Sequence, residues 1–224
     1  MCAHYESVIQ PERLQMHFGV ELPAGVKADV WPGYLAPFIR LHPHRDVDDE
    51  AVPAREAAAG LYGLVPHWSK DLTIGRHTYN ARTETVAEKP SFRDAWRHGQ
   101  HCIVPAEAIY EPDWRSGKAV PTRIARQDGK PLGLAGLWTS NRKATGQEVL
   151  SFTLLTINAN GHEIFGHLHK PQHEKRMVVI MSEDQYDVWL DAPVANSLEL
   201  MKASGVELRL PLYTSGPSIP PLNP

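Results

Sequence analysis

The chain begins Met1-Cys2-Ala3-His4-Tyr5, and Cys2 is one of only two cysteines among 224 residues. An initiator methionine is normally removed when the next side chain is small, and cysteine is small enough. Cys2 would then carry a free α-amine beside its thiol. No internal cysteine offers two nucleophiles on adjacent carbons, so this position suits covalent chemistry. The other thiol, Cys102, lies in the apolar run HCIVPAEAIY and reads as a core residue.

Other stretches hold side chains able to join such chemistry. Asn80, in Tyr79-Asn80-Ala81-Arg82-Thr83-Glu84, reads either as the cap of a following helix or as a site residue. Glu111, in Tyr110-Glu111-Pro112, leaves an apolar strand, where a carboxylate can act as a general acid or base. Glu107, earlier in the same strand, competes with it, and an exposed strand end is the plainer reading of Glu111. His162, His167, His169 and His173 crowd into GHEIFGHLHKPQHEKR. No Cys-x-x-Cys or His-Glu-x-x-His pattern accompanies them, which favours an acid–base histidine over a metal ligand. Trp68, close in sequence to Lys70, Arg76 and Arg82, is either a core residue or a stacking platform beside phosphate-binding cations.

These residues need elements to hold them. Pro11 opens a short helix that Gly19 stops, with Leu14 and Phe18 on one face. LYGLVPHW, HCIVPAEAIYEP, PTRIARQ, PLGLAGLWTS, EVLSFTLLTINA and RMVVIM read as strands separated by turn signals such as Asp128-Gly129 and Thr145-Gly146. Ser182-Glu183-Asp184-Gln185 reads as a capping box leading into a helix with Tyr186, Trp189 and Leu190 on one side. DVDDE reads as an acidic loop, and PSIPPLNP as a loose tail. Many short strands and few helices, without βαβ alternation, predict a single α+β domain with a largely antiparallel, barrel-like β core and peripheral helices.

Composition narrows the function classes. A formal charge of −3 argues against a broadly basic nucleic-acid coat, though not against a local positive groove. Two cysteines make no disulfide framework, and no apolar run approaches the roughly 18 residues of a membrane span. The expected setting is the reducing cytoplasm, and the expected state a monomer.

Met1-Cys2, GLVPHWSKD (63–71), NARTET (80–85), SFRDAW (91–96), CIVPAEAIYEP (102–112), AGLW (135–138), SFTLLTINAN (151–160) and KRMVVIM follow one another across nearly the whole chain. This ordered set resembles the SOS response-associated peptidase (SRAP) family, whose members form covalent links to abasic sites in single-stranded DNA. The resemblance implies a domain over residues 2–213, with 214–224 as the tail. It implies catalytic roles for Cys2, Asn80, Glu111 and His169, with His173 as the alternative histidine. Trp68, Lys70, Arg76 and Arg82 are then candidate DNA contacts. The implied partner is single-stranded DNA containing abasic sites, with no metal and no cofactor, and nucleoid association in a bacterial cell when bound. The family name further implies cleavage of whatever precedes the cysteine. The chain departs from the common pattern at Ala3-His4, where Gly-Arg is usual, at Pro112, where Trp is usual, and at Glu174, where the histidine usually stands.

The chemistry fits a terminal cysteine. An abasic deoxyribose opens to an aldehyde, an α-amine condenses with it to an imine, and the adjacent thiol closes a thiazolidine ring. The second attack is intramolecular, where effective molarities reach roughly 10⁵ M or more. Two alternatives use the same terminus or fold differently: a glutaminase-like amidohydrolase with an N-terminal cysteine nucleophile, and a non-catalytic single-stranded DNA-binding protein.

Overall fold

Runs of Val, Ile, Leu, Thr and Phe broken by Gly, Pro and Asp-Gly fold as strands, since such side chains suit a pleated, half-buried surface. The computed structural model describes residues 2–45 and 52–211. The acidic DVDDE loop and the tail at 214–224 lie outside the described residues. In chain order the strands are β1 (His4–Ser7), β2 (Asp29–Val30), β3 (Leu35–Leu41), β4 (Arg55–Tyr62), β5 (Asn80–Arg82) and β6 (His101–Asp113). They continue with β7 (Val120–Arg126), β8 (Leu132–Asn141), β9 (Val149–Asn158), β10 (Arg176–Val178), β11 (Ile180–Met181) and β12 (Leu208–Arg209).

Strands β8, β9, β4, β3 and β6 pair in that order and β6 returns to β8, closing a five-stranded barrel. Closure removes the open edges that a flat sheet would leave. The barrel pairs are antiparallel except β4 with β9, which run parallel at Leu61↔Ser151 and Tyr62↔Phe152. The length of β6 has a structural reason. Its first half, His101 to Ala106, pairs with β8, and its second half pairs with β1 on one edge and β7 on the other. One strand thus ties the barrel to the N-terminal residues. The fold is α+β with a closed barrel core, as the strand pattern implied.

Among the described residues three α-helices pack outside: α1 (Pro11–Phe18), α2 (Arg93–Arg97) and α3 (Tyr186–Leu190). Gly19 ends α1 at φ +68°, and its N–H bonds the Gln15 carbonyl. Leu14 and Phe18 are buried, and the Phe18 ring stacks on Tyr186. Ahead of α3, the Gln185 side chain folds back to accept from the Ser182 N–H at 3.2 Å. LYGLVPHW is less strand-like than its apolar run suggests. Strand β4 lies mostly upstream and ends at Tyr62, because Gly63 turns the chain at φ +117°. Among the described residues no helix is long and apolar enough to cross a membrane.

His101, at the start of β6, is 2% exposed and stacks on Trp189 with ring centroids 3.9 Å apart. Burial lowers its pKa from 6.5 to about 4. Between these values the unfolded chain takes up a proton that the folded chain refuses, so stability falls as pH drops through that window. The slope approaches about 1.4 kcal/mol per pH unit. His101→Phe cannot titrate. In urea unfolding between pH 7 and 4.5, the wild type should lose about 2 kcal/mol more than this variant. Equal losses would show that His101 does not carry the acid sensitivity.

Candidate active site

The site begins where β1 joins β6. Register His4↔Tyr110 and Tyr5↔Ile109 brings Cys2, two residues ahead of β1, to the far end of β6. Cys2 is fully buried there. Its carbonyl accepts hydrogen bonds from Asn80 Nδ2 at 2.6 Å and from the Tyr62 hydroxyl at 2.7 Å. Its thiol donates to the His4 carbonyl at 3.4 Å. Burial pushes the thiol far above its usual range, and the Glu111 charge adds to the shift. At neutral pH the sulfur therefore rests as a thiol.

Asn80 reaches Cys2 from a strand. The helix-cap reading of Asn80 is corrected: residues 80–82 form β5, parallel to β9 with Asn80↔Leu154. Strand pairing outweighs the capping tendency because Ala81 is buried in the core while Asn80, on the opposite face of the strand, turns toward Cys2. The turn between β4 and β5 makes this docking possible. A Cβ at Gly63 would lie 2.1 Å from the Gly75 carbonyl oxygen, so the chain can fold back against itself only with glycine there. Tyr62, at the end of β4, is fully buried and stacks on Phe152. Its part in holding Cys2 has no local sequence signal, because it depends on β4 running beside β9.

On the other side, Glu111 is 1% exposed and its Oε2 lies 2.7 Å from His169 Nε2. Glu107 is elsewhere. The β1–β6 register shifts between Glu6↔Ala108 and Ser7↔Ala106, leaving Glu107 at a bulge. The bulge turns Glu107 outward onto Arg13, with Nε 2.6 Å from Oε1 and Nη2 2.9 Å from Oε2. Without it, Glu107 would share parity, and so a face, with Glu111. His173 is exposed, whereas His169 is buried. The structure thus brings Cys2, Asn80 and Tyr62 together, and sets Glu111, paired with His169, near enough for its charge to raise the thiol pKa.

The four candidate DNA contacts divide. Trp68, Lys70 and Arg76 line one cavity of about 520 Å³, with Trp68 41% exposed. Arg82 stands apart from it, in an ion pair with Glu174 at 2.8 Å. Glu174 also accepts from buried Arg176, which binds Glu84 through both guanidinium nitrogens at 2.8 and 2.9 Å. Among the described residues no three His, Cys, Asp or Glu side chains converge as a metal site.

The family model for the SOS response associated peptidase (SRAP) matches residues 1–210, and the chain belongs to that family. A Bacillus subtilis relative named abasic site processing protein YoqW is 34% identical over 131 residues, 58% of this chain and 55% of that protein. The Gallus gallus abasic site processing protein HMCES is 25% identical over 185 residues, 73% of this chain and 52% of its own length. The chain thus spans about half the length of the curated relatives it matches. A solved structure of a Bordetella bronchiseptica protein superposes with a TM-score of 0.84 at 44% identity, covering 93% of this chain and 98% of the other. One from Bacteroides thetaiotaomicron, at 21% identity and TM-score 0.74, shares the fold.

Two donors on one buried carbonyl make a local test. Tyr62→Phe and Asn80→Ala should each lower stability by about 1 kcal/mol, the usual net worth of one hydrogen bond. The double variant leaves the Cys2 carbonyl without either donor and should cost more than the sum. Urea denaturation of the three variants reads this; strict additivity would mean that the two bonds are not coupled through Cys2.

Proposed function

We propose that this SRAP-family chain captures abasic sites in single-stranded DNA as a covalent adduct formed by Cys2. The observation that supports it most is the surrounding of buried Cys2: Asn80 bonds its carbonyl, and the charge of Glu111, which pairs with His169, acts on its thiol. The reactive form has Met1 removed, so that the α-amine of Cys2 is free.

The steps balance as follows. The α-amine attacks the C1′ aldehyde of the opened sugar, and the carbinolamine loses water to give an imine. The thiol then adds to the imine carbon while its proton passes to the nitrogen, closing a thiazolidine. Because the buried thiol holds its proton tightly, the amine acts first and the sulfur follows by intramolecular attack. Glu111 accepts protons from the amine and then from the thiol, and His169 protonates the ring oxygen on opening and the departing water. Asn80 and Tyr62 fix the Cys2 carbonyl so that its amine and thiol face the incoming sugar. Trp68 supplies a stacking face, and Lys70 and Arg76 phosphate contacts, along the cavity they line. Arg82 joins them once a phosphate competes with Glu174 for its guanidinium. A single strand is the fitting substrate, since its sugar enters a pocket without the cost of unstacking a duplex.

A single-stranded oligonucleotide with one abasic site, incubated with the protein and run on a denaturing gel, reads the adduct. Wild type should give a stable shifted band, and Cys2→Ala none. Glu111→Gln and His169→Ala should each slow adduct formation by about 10²-fold or more, the scale of lost acid–base catalysis. Glu107→Gln and His173→Ala should stay near the wild-type rate. A protein of intact mass that still includes Met1 and yet forms the adduct would overturn the role of the amine.

A further inference from the structure

His169 has φ +64°, the only positive φ of any non-glycine residue among the described residues. A side chain with a Cβ enters this left-handed region at a cost, and such strain persists only where surrounding contacts over-determine it. Besides the bond to Glu111, backbone and side-chain contacts tie the His169 turn to the end of β6. The His169 N–H donates to the Pro112 carbonyl at 2.8 Å, Leu168 makes an isolated bridge with Asp113, and Lys170 Nζ lies 5.1 Å from the Trp114 ring centre. These dock the turn but leave its carbonyls pointing together.

Lys175 fills that convergence. Its Nζ donates to the carbonyls of Leu168 at 2.8 Å, His169 at 3.0 Å and Lys170 at 2.9 Å. An ammonium group has three donors, and all three are used on consecutive carbonyls. Lys175 therefore has no donor left for a DNA phosphate, and its nitrogen is not offered as a nucleophile. Its half-buried stem closes the loop from 168 to 175 onto itself in the manner of a bound cation.

We propose that Lys175 is the positioning residue for His169: its three-carbonyl clasp maintains the left-handed turn that sets the imidazole 2.7 Å from Glu111. This rests on the reading of His169 as the acid–base partner in adduct formation. It assigns Lys175 an effect on the rate of the covalent step and none on DNA affinity.

The test variant is Lys175→Met, which keeps the length of the stem and removes every donor. The adduct-forming rate should fall about 10-fold or more, as expected for a small misplacement of a reacting group. Affinity for an undamaged single-stranded oligonucleotide, and its dependence on salt, should match wild type; loss of a phosphate contact would instead lower the salt slope by about one. In a His169→Ala background, Lys175→Met should cause no further slowing. Equal slowing in both backgrounds, or weaker binding at an unchanged rate, would overturn the assignment. An independent measurement needs no DNA: imidazole NMR signals of His169 should shift in Lys175→Met while those of His101 stay in place. Unchanged His169 signals would overturn the clasp even if wild type forms adducts. Absence of an adduct from wild type would instead sink the functional reading and leave the NMR test standing. Should Lys175→Met fold too poorly to purify, Lys175→Gln carries the same measurements, with two donors retained and an intermediate effect expected.

Discussion

The pairing of β1 with β6 is the constraint on which the site depends. The second residue of a chain is ordinarily frayed and solvated, because nothing compels the first few residues to pack. Here Cys2 is fully buried, and four residues later Glu6 is still in register with Ala108. Strand β6 can hold the terminus because its other half is built into the barrel wall against β8. Order is thus passed from a closed sheet to a segment that has little of its own. Burial then imposes a second demand, since each polar backbone group taken from water needs a partner. Asn80 and Tyr62 meet it at the Cys2 carbonyl, and both arrive there through parallel pairing with β9.

That burial also sets the electrostatics. Burying a thiol near a carboxylate that pairs with an imidazole disfavours any arrangement with excess charge of one sign. The thiol responds by keeping its proton, driven first by desolvation and then by Glu111. A cysteine nucleophile working alone would want the opposite, a depressed thiol beside a cation. In the proposed capture of an aldehyde, a thiol so raised is a weak opening nucleophile, which favours nitrogen acting first and sulfur second. The burial that makes Cys2 a weak thiolate costs little when the sulfur acts second, with the electrophile already tethered beside it.

Much of the barrel was legible in the residues, because alternating apolar runs and Gly, Pro or Asp-Gly breaks act locally. Helix α1 and the segment leading into α3 were legible for the same reason, through Pro11, Gly19 and the Ser182-to-Gln185 spacing. The site was legible only in part. Glu111 and Glu107 lie on the same strand with the same parity, and a bulge, not composition, separates their fates. Asn80 looked as much like a cap as a site residue, because parallel pairing with a strand more than seventy residues away leaves no mark on NARTET. Tyr62 and Lys175 were invisible as partners of Cys2 and His169 for a different reason: both act on backbone carbonyls, which every residue possesses.

Residue 174 answers to the charge of Arg176. At residue 174, where the resemblance leads one to expect a histidine, this chain has Glu174. Arg176 is only 3% exposed, so its guanidinium requires acceptors, and it takes Glu84, Glu174 and the Thr156 carbonyl. Glu174 then extends the network to Arg82 at the surface, and Arg176 in turn holds the Glu174 carboxylate below its usual pKa. A neutral imidazole at 174 would supply no matching charge to either arginine. With that position committed to the ion network, the histidine that meets Glu111 comes from another part of the loop. His169 serves because its turn is docked on the end of β6, directly beside the carboxylate it meets. The left-handed backbone at His169 and the carboxylate at 174 thus share one loop, which Lys175 ties together at the carbonyls of residues 168–170.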